Sequence, residues 1–311
     1  MFSGSDTIGC MRIASLLPST TEILFAIGAG DDVVGVTFEC DHPREARERR
    51  IVSTSALPEG LDSAGIDAFV TAAMHAGADL YHLNEGALSG LDADLVVTQD
   101  LCAVCAVDVG VVDDALAHLG CTAEVLTIDP HDLTEVLGSI GVLGAATGHQ
   151  AEAERLVATL QARLDTVREE VAARAAGTTP RVLLLEWTDP PFAPGHWVPE
   201  MVTIAGGVPT IGEAGQKSVR MTWEQALAVE PDIVVCAPCG YDLPESVALA
   251  RKLVTSGVLP EPIPVWAVDA NASFARPGPR LVDGVEALAQ VIAQTLEQPA
   301  RTVEGAAQRI R

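Results

Sequence analysis

The stretch QAEAERLVATLQARLDTVREEVAARAA, from Gln150 to Ala176, decides how this chain is read. It contains no glycine or proline and consists largely of strong helix formers. Leu156, Leu160, Leu164, Val167 and Val171 recur at helical spacing, with charged residues on the other face. About 25 residues at roughly 1.5 Å each make a rod of roughly 38 Å, long enough to cross a domain. A similar feature lies on each side of it: LDADLVVTQDLCAVC (Leu91–Cys105) before and VEPDIVVCAPC (Val229–Cys239) after. Each reads as an acidic helix end, a buried strand and then a C-x-x-C.

Working outward, short apolar runs alternate with helical patterns in both flanks, which predicts parallel α/β layers. The expected fold class is α/β: two Rossmann-like lobes with parallel sheets, joined by one long bridging α-helix. The lobes are expected over residues 1–148 and 178–311, with the bridge over 149–177. In the first lobe, strands are expected at Arg12–Leu17, Val33–Val36, Leu95–Thr98 and Glu124–Ile128. Pro18 is read as a breaker, with Ser19–Glu22 as a capping box for a helix from Glu22 to Ile27. Helices are also expected at Ala64–Ala76, Gly90–Asp94, Val111–Leu119 and Leu133–Ala146. In the second lobe, strands are expected at Arg181–Glu186, Asp232–Cys236 and Pro264–Val268, and residues beyond Pro299 as a frayed tail.

The bulk composition narrows the function. A 48 % hydrophobic fraction with 20 % charged residues describes a globular chain. The net charge of −24 argues against nucleic acid or an anionic membrane as a partner, since both would repel it. No apolar run reaches the roughly 20 residues of a membrane span. The first residues, MFSGSDTIGCMRIASLLP, lack a basic segment followed by an apolar core, and seven cysteines is an odd number. Together these predict reduced thiols and a cytoplasmic location.

On open parallel sheets, ligands bind beyond the carboxyl ends of the strands. That rule selects four loops here: Thr37–Pro43, Gln99–Val107, Trp187–Glu200 and Ala237–Tyr241. They carry Glu39 and Cys40; Cys102 and Cys105; Trp187, His196 and Trp197; and Cys239 and Tyr241. Trp187, Trp197 and Phe274 are candidates for a flat apolar wall, and core packing is the competing reading of each. Cys40, Cys102, Cys105 and Cys239 could hold a zinc ion or an iron–sulfur cluster, because thiolates are soft ligands. The alternative is ordinary loop thiols, and Cys236 reads equally well as a small buried apolar residue. There is no phosphate loop, no G-x-S-x-G elbow and no H-E-x-x-H helix, so no catalytic set is named.

The runs IASLLPSTTEILFAIGAGDDVVGVTFECDHP (Ile13–Pro43), LDADLVVTQ (Leu91–Gln99), VTIAGGV (Val202–Val208), TWEQALAVEPDIVV (Thr222–Val235) and FARPGPRLVDGVEALA (Phe274–Ala289) carry a resemblance. In this order they resemble the cobalamin and iron-chelate binding proteins of ABC importers. The resemblance implies two Rossmann-like lobes bridged by a helix, with a small-molecule ligand in the cleft between them. It implies a non-catalytic binding protein for cobalamin or another metal chelate. Trp187, Trp197 and Phe274 would supply apolar contact, Glu39, His196 and Arg276 would fix polar groups, and Tyr241 is a further ligand-binding candidate. The chain departs from the family pattern at Ala275 and Ser273, where an acidic and an aromatic residue are expected, which weakens the expectation of an ABC permease partner. It also has Glu39 where cobalamin binders carry an aromatic. The alternative reading is a cytoplasmic metal- or cluster-binding protein, enzyme or chaperone, using the cysteine-rich loops. A third is an interaction module that has lost its ligand.

Overall fold

The structure, a computed structural model, describes residues 11–76, 78, 80–84, 86–99, 112, 122–174, 179–299, 303 and 305–311. The chain divides into two compact units. The first comprises residues 1–59, 70–129 and 142–153, and the second 60–69, 130–141 and 154–311.

The sheet of the first unit is built from β1 (Ile13–Ser15), β2 (Val33–Val36), β3 (Arg50–Ile51), β6 (Leu95–Thr98) and β7 (Glu124–Thr127), in the order β3-β2-β1-β6-β7. Every pairing in it is parallel. Between β3 and β6 lies a separate antiparallel pair, β4 (Ser53–Ser55) with β5 (Tyr81–Leu83). All four residues of β6 are buried, as a strand covered on both faces requires. The 18–26 helix starts at Pro18, one turn earlier than expected, and no capping box forms at Ser19–Glu22. The fixed φ of proline suits a helix's first turn, so Pro18 opens the helix instead of breaking the chain. The hydroxyls of Thr20 and Thr21 instead donate to the Leu17 carbonyl at 3.1 and 3.0 Å. Of the expected Gly90–Asp94 helix, residues 90–91 form a turn and 92–94 are not helical. The expected Val111–Leu119 helix, apart from Val112, and most of the Gln99–Val107 loop lie outside the described residues.

The main sheet of the second unit contains β8 (Arg181–Leu185), β11 (Val208–Pro209), β13 (Ile233–Cys236), β14 (Val265–Val268) and β15 (Ala307–Arg309), ordered β11-β8-β13-β14-β15. The first four are parallel, and β15 runs antiparallel to β14. A three-stranded antiparallel ribbon, β9 (Trp187–Thr188), β10 (Pro191–Ala193) and β12 (Val219–Arg220), follows β8. Val182, Leu183, Leu184 and Leu185 are at most 2 % exposed, and burial of each such side chain stabilises by about 1.5–3 kcal/mol. β15 corrects the expectation of a frayed tail. Its backbone completes the β14 edge, and Ile310 packs on the core formed by Leu183, Val234, Val265 and Leu253. An edge strand donates its open backbone groups to whatever can pair with them, and the last residues of this chain do so.

The long helix spans Gln150–Ala173 and runs from the first unit into the second. Leu160, Leu164 and Val167 are each 3 % exposed. Within the second unit Arg163 of this helix reaches the 281–295 helix. Its guanidinium donates to Glu286 at 3.0 and 2.7 Å and to Asp283 at 2.6 Å. These carboxylates, Glu286 foremost, raise the Arg163 pKa further above its ordinary value. Among the described residues no helix is long and apolar enough to cross a membrane.

Candidate functional site

Three adjacent strand ends in the second unit gather the candidate residues. β8 and β13 are in parallel register, with Leu185 opposite Cys236, so the segments leaving them begin side by side. Two bonds continue the pairing past the strands: Ala237 N donates to Leu185 O at 2.9 Å and Cys239 N to Glu186 O at 3.0 Å. The chain then places Trp187 after β8 and Tyr241 after β13. Their rings lie 5.5 Å apart between centroids, tilted by 50°. From the end of β14, Asn271 N donates to the Tyr241 carbonyl at 2.9 Å.

Trp187 and Tyr241 are both half-buried, so each pairs an anchored side with a solvent-facing one. The Trp187 indole N–H donates to the carbonyls of Ser63 and Asp189, at 3.2 and 3.1 Å. The Tyr241 phenol is pushed up from its ordinary pKa, first by burial and then by the carboxylates of Glu245 and Asp62. It is therefore a neutral hydroxyl at physiological pH.

The other two aromatic candidates belong to the interior. Trp197 is 7 % exposed and Phe274 3 %, and the Trp197 indole donates to the Phe274 carbonyl at 2.8 Å. His196 is half-buried, with its ring 5.4 Å from that of Trp197. It sits in the left-handed region at φ +50°. Its N–H donates to Gln216 O at 2.6 Å and its carbonyl accepts from Gly215 N at 3.0 Å. The neighbouring Gly195 is required by this close approach: a Cβ there would overlap the Gln216 carbonyl and the Ser218 amide. Arg276 is 8 % exposed, with its carbonyl accepting from Gly278 N at 2.8 Å.

Sequence reasoning passed over Glu186. It continues the apolar β8 run, where a carboxylate is costly unless hydrogen-bonded. Its carboxylate accepts from Gly195 N at 3.3 Å and from the Ser218 hydroxyl in a short contact. Burial pushes its pKa up to about 7, and those two hydrogen bonds oppose the rise. The signal in the sequence was a single acid ending the run RVLLLE directly before a candidate tryptophan.

Glu39 and Cys40 lie in the first unit. Their segment is a turn closed by Cys40 N to Thr37 O at 3.1 Å, not an extended strand exit. Glu39 is half-buried. Cys40 is 1 % exposed, and its sulfur meets the hydroxyls of Thr21 and Thr37, each at 3.1 Å. Cys239 is exposed in the second unit, while Cys102 and Cys105 fall outside the described residues. Among the described residues no three His, Cys, Asp or Glu side chains come together to hold a metal.

A family model described as "Periplasmic binding protein" matches residues 13–263. Among curated proteins, the chain is 27 % identical over 288 residues to an ABC transporter substrate-binding lipoprotein of Bacillus subtilis, covering 90 % of this chain and 79 % of that one. It is 23 % identical over 293 residues to the vitamin B12-binding protein of Yersinia pestis, covering 91 % and 86 %. Among solved structures, a periplasmic heme binding protein from Pseudomonas aeruginosa superposes with a TM-score of 0.69 at 19 % identity, over 96 % of this chain and 97 % of that one. The periplasmic vitamin B12 binding protein BtuF of Vibrio cholerae does so with a TM-score of 0.59 at 22 % identity, over 92 % and 98 %. The two-lobed α/β architecture with parallel sheets is common to these folds.

These likenesses overturn the expectation of a cytoplasmic location, since the relatives are described as a lipoprotein or as periplasmic. The cysteines carry no information on location, for a physical reason. Cys40 and Cys236 are buried, and burial pushes the Cys236 thiol up to about 12, so it stays protonated. Such thiols behave as small apolar residues and say nothing of the redox compartment. Of residues 1–18, read above as lacking a leader pattern, 1–10 lie outside the described residues.

Proposed function

The chain belongs to the periplasmic binding protein family, and on that premise we propose that it is an extracytoplasmic binding protein for a corrinoid or another flat metal chelate. The observation that carries the reading is the Trp187–Tyr241 pair at two neighbouring strand ends, where open parallel sheets receive ligands. Two half-exposed rings offer an apolar face to a macrocycle, and the neutral Tyr241 hydroxyl can donate to or accept from a peripheral amide. His196 supplies a second polar group from the adjacent loop. The relatives support this class of ligand, being described as vitamin B12-binding and heme binding proteins. The likeness to an ABC transporter lipoprotein adds delivery to a permease to the proposal. Trp197 and Phe274 act in this reading as the buried support of the His196 loop.

The test is titration of the purified chain with cyanocobalamin, hemin and a ferric hydroxamate chelate, followed by tryptophan fluorescence and calorimetry. Saturable one-site binding of at least one of them, weakened in Trp187→Ala, is the expected result. Silence across the panel would overturn the proposal.

A further inference from the structure

Glu186 stands at the junction of three segments of the second unit. Its backbone N–H donates to the Phe192 carbonyl at 3.2 Å, and its own carbonyl accepts from Cys239 N. Its carboxylate spans the remaining gap, holding Gly195 N on one side and the Ser218 hydroxyl on the other. Between these two points the chain is backbone against backbone. His196 N meets Gln216 O, Gly215 N meets His196 O, and a Cβ at Gly212 would overlap the Pro194 carbonyl. His196 is held at φ +50° by this arrangement, a left-handed conformation that a non-glycine residue adopts only where its surroundings impose it.

We infer that Glu186 is the positioning residue of the candidate ligand loop: its carboxyl group brackets the 194–196 and 215–218 segments together and so fixes the backbone from which His196 projects. The inference rests on the reading of this face as the ligand site. A carboxyl group suits the task because two acceptor oxygens can serve two segments at once. An apolar residue of the same size would fill the space without tying either segment. The titratable side chains on the segments that meet Glu186 are His196, Glu213, Lys217, Asp189, Cys239 and Tyr241.

The geometry also couples the loop to pH. The carboxyl exchanges its proton near neutrality because it is buried. A ligand seated over the loop removes further water and so favours the neutral acid. Affinity is therefore highest below about pH 7 and declines as the pH rises through that value.

The experiment follows the glutamate carboxyl carbons and the Gly195 amide by NMR in the ligand-free protein, from about pH 5 to pH 9, spanning the ordinary ranges of His and the raised acid. One glutamate carboxyl should titrate near 7, with Gly195 following at the same midpoint. Glu186→Gln, which keeps the shape, should abolish that step at Gly195 while leaving the histidine ring titrations in place. Ser218→Ala removes a bond that favours the ionised form, so it should move the midpoint upward by about half a unit or more. The inference falls if no glutamate carboxyl titrates above the ordinary range, or if the Gly195 step survives Glu186→Gln. A second arm measures cyanocobalamin affinity over the same pH range, where the wild-type decline should flatten in Glu186→Gln. An unchanged pH profile in that variant would also overturn it. Failure of the probe to bind at any pH would count against the proposed function instead, and the NMR arm would still decide the role of Glu186.

Discussion

Trp187 and Tyr241 meet ring to ring, 5.5 Å apart, although 53 residues lie between them in the chain. Parallel pairing of β8 with β13 produces the meeting, since Leu185 and Cys236 share a register and the exits that follow must run together. If this face receives the ligand, Trp187→Ala should raise the Kd about tenfold or more, in line with large aromatic anchors elsewhere. Tyr241→Phe retains the ring and should change the Kd by less than about threefold. Calorimetry on the two variants separates stacking from hydrogen bonding.

Glu186 sets a pH signature in stability as well as in the loop. Its folded pKa of about 7 lies above the ordinary value of 4.5, so the folded state holds the proton more tightly than the unfolded one. The stability tied to that proton is complete below about 4.5 and is lost progressively as the pH rises through 7. Glu186→Gln lacks this loss. Urea unfolding should show the variant gaining on the wild type as the pH rises, by on the order of 2 kcal/mol, with no further gain above about pH 8.

Arg163 ties the long helix to the 281–295 helix through a nearly buried Glu286. Arg163→Ala leaves that carboxylate without its guanidinium and should cost about 1–3 kcal/mol. The guanidinium is one-third exposed, which places the cost below that of a fully buried pair. Arg163→Lys should recover only part of the loss, because an ammonium cannot hold two carboxylates with a planar fork. Denaturant midpoints on the two variants measure both.

Deletion of residues 305–311 should lower the melting temperature by several degrees and promote association, because it strips the β14 edge. Arg311 adds to the effect. Its side chain donates to Ile263 O, Pro260 O and Glu261 at 2.8–3.0 Å, and its backbone N–H meets Val265 O. Thermal unfolding with light scattering is the measurement.

The parts of this molecule that were legible in its sequence are those set by local periodicity. Leu160, Leu164 and Val167 face the interior because their spacing allows one burial solution, and IVV at 233–235 is apolar without interruption because both faces are covered. The strand-end rule then led to the loops bearing Trp187 and Tyr241. What escaped was decided by distant partners. Trp187 and Trp197 look alike in sequence, and they differ because the Phe274 carbonyl, 77 residues from Trp197, draws one indole inside. Glu186 is intelligible only beside Ser218, 32 residues on. The last strand was missed because AQR carries no strand-like alternation, and its place is fixed by the open edge of β14.

That last strand also sets a clock. A chain that emerges amino end first presents the β14 residues Val265–Val268 well before their antiparallel partner Ala307–Arg309 exists. At typical rates of synthesis, the roughly 40 intervening residues take about 2–8 s to appear. The sheet of the second unit therefore stays incomplete over that interval, and its final edge is open to any extended peptide nearby.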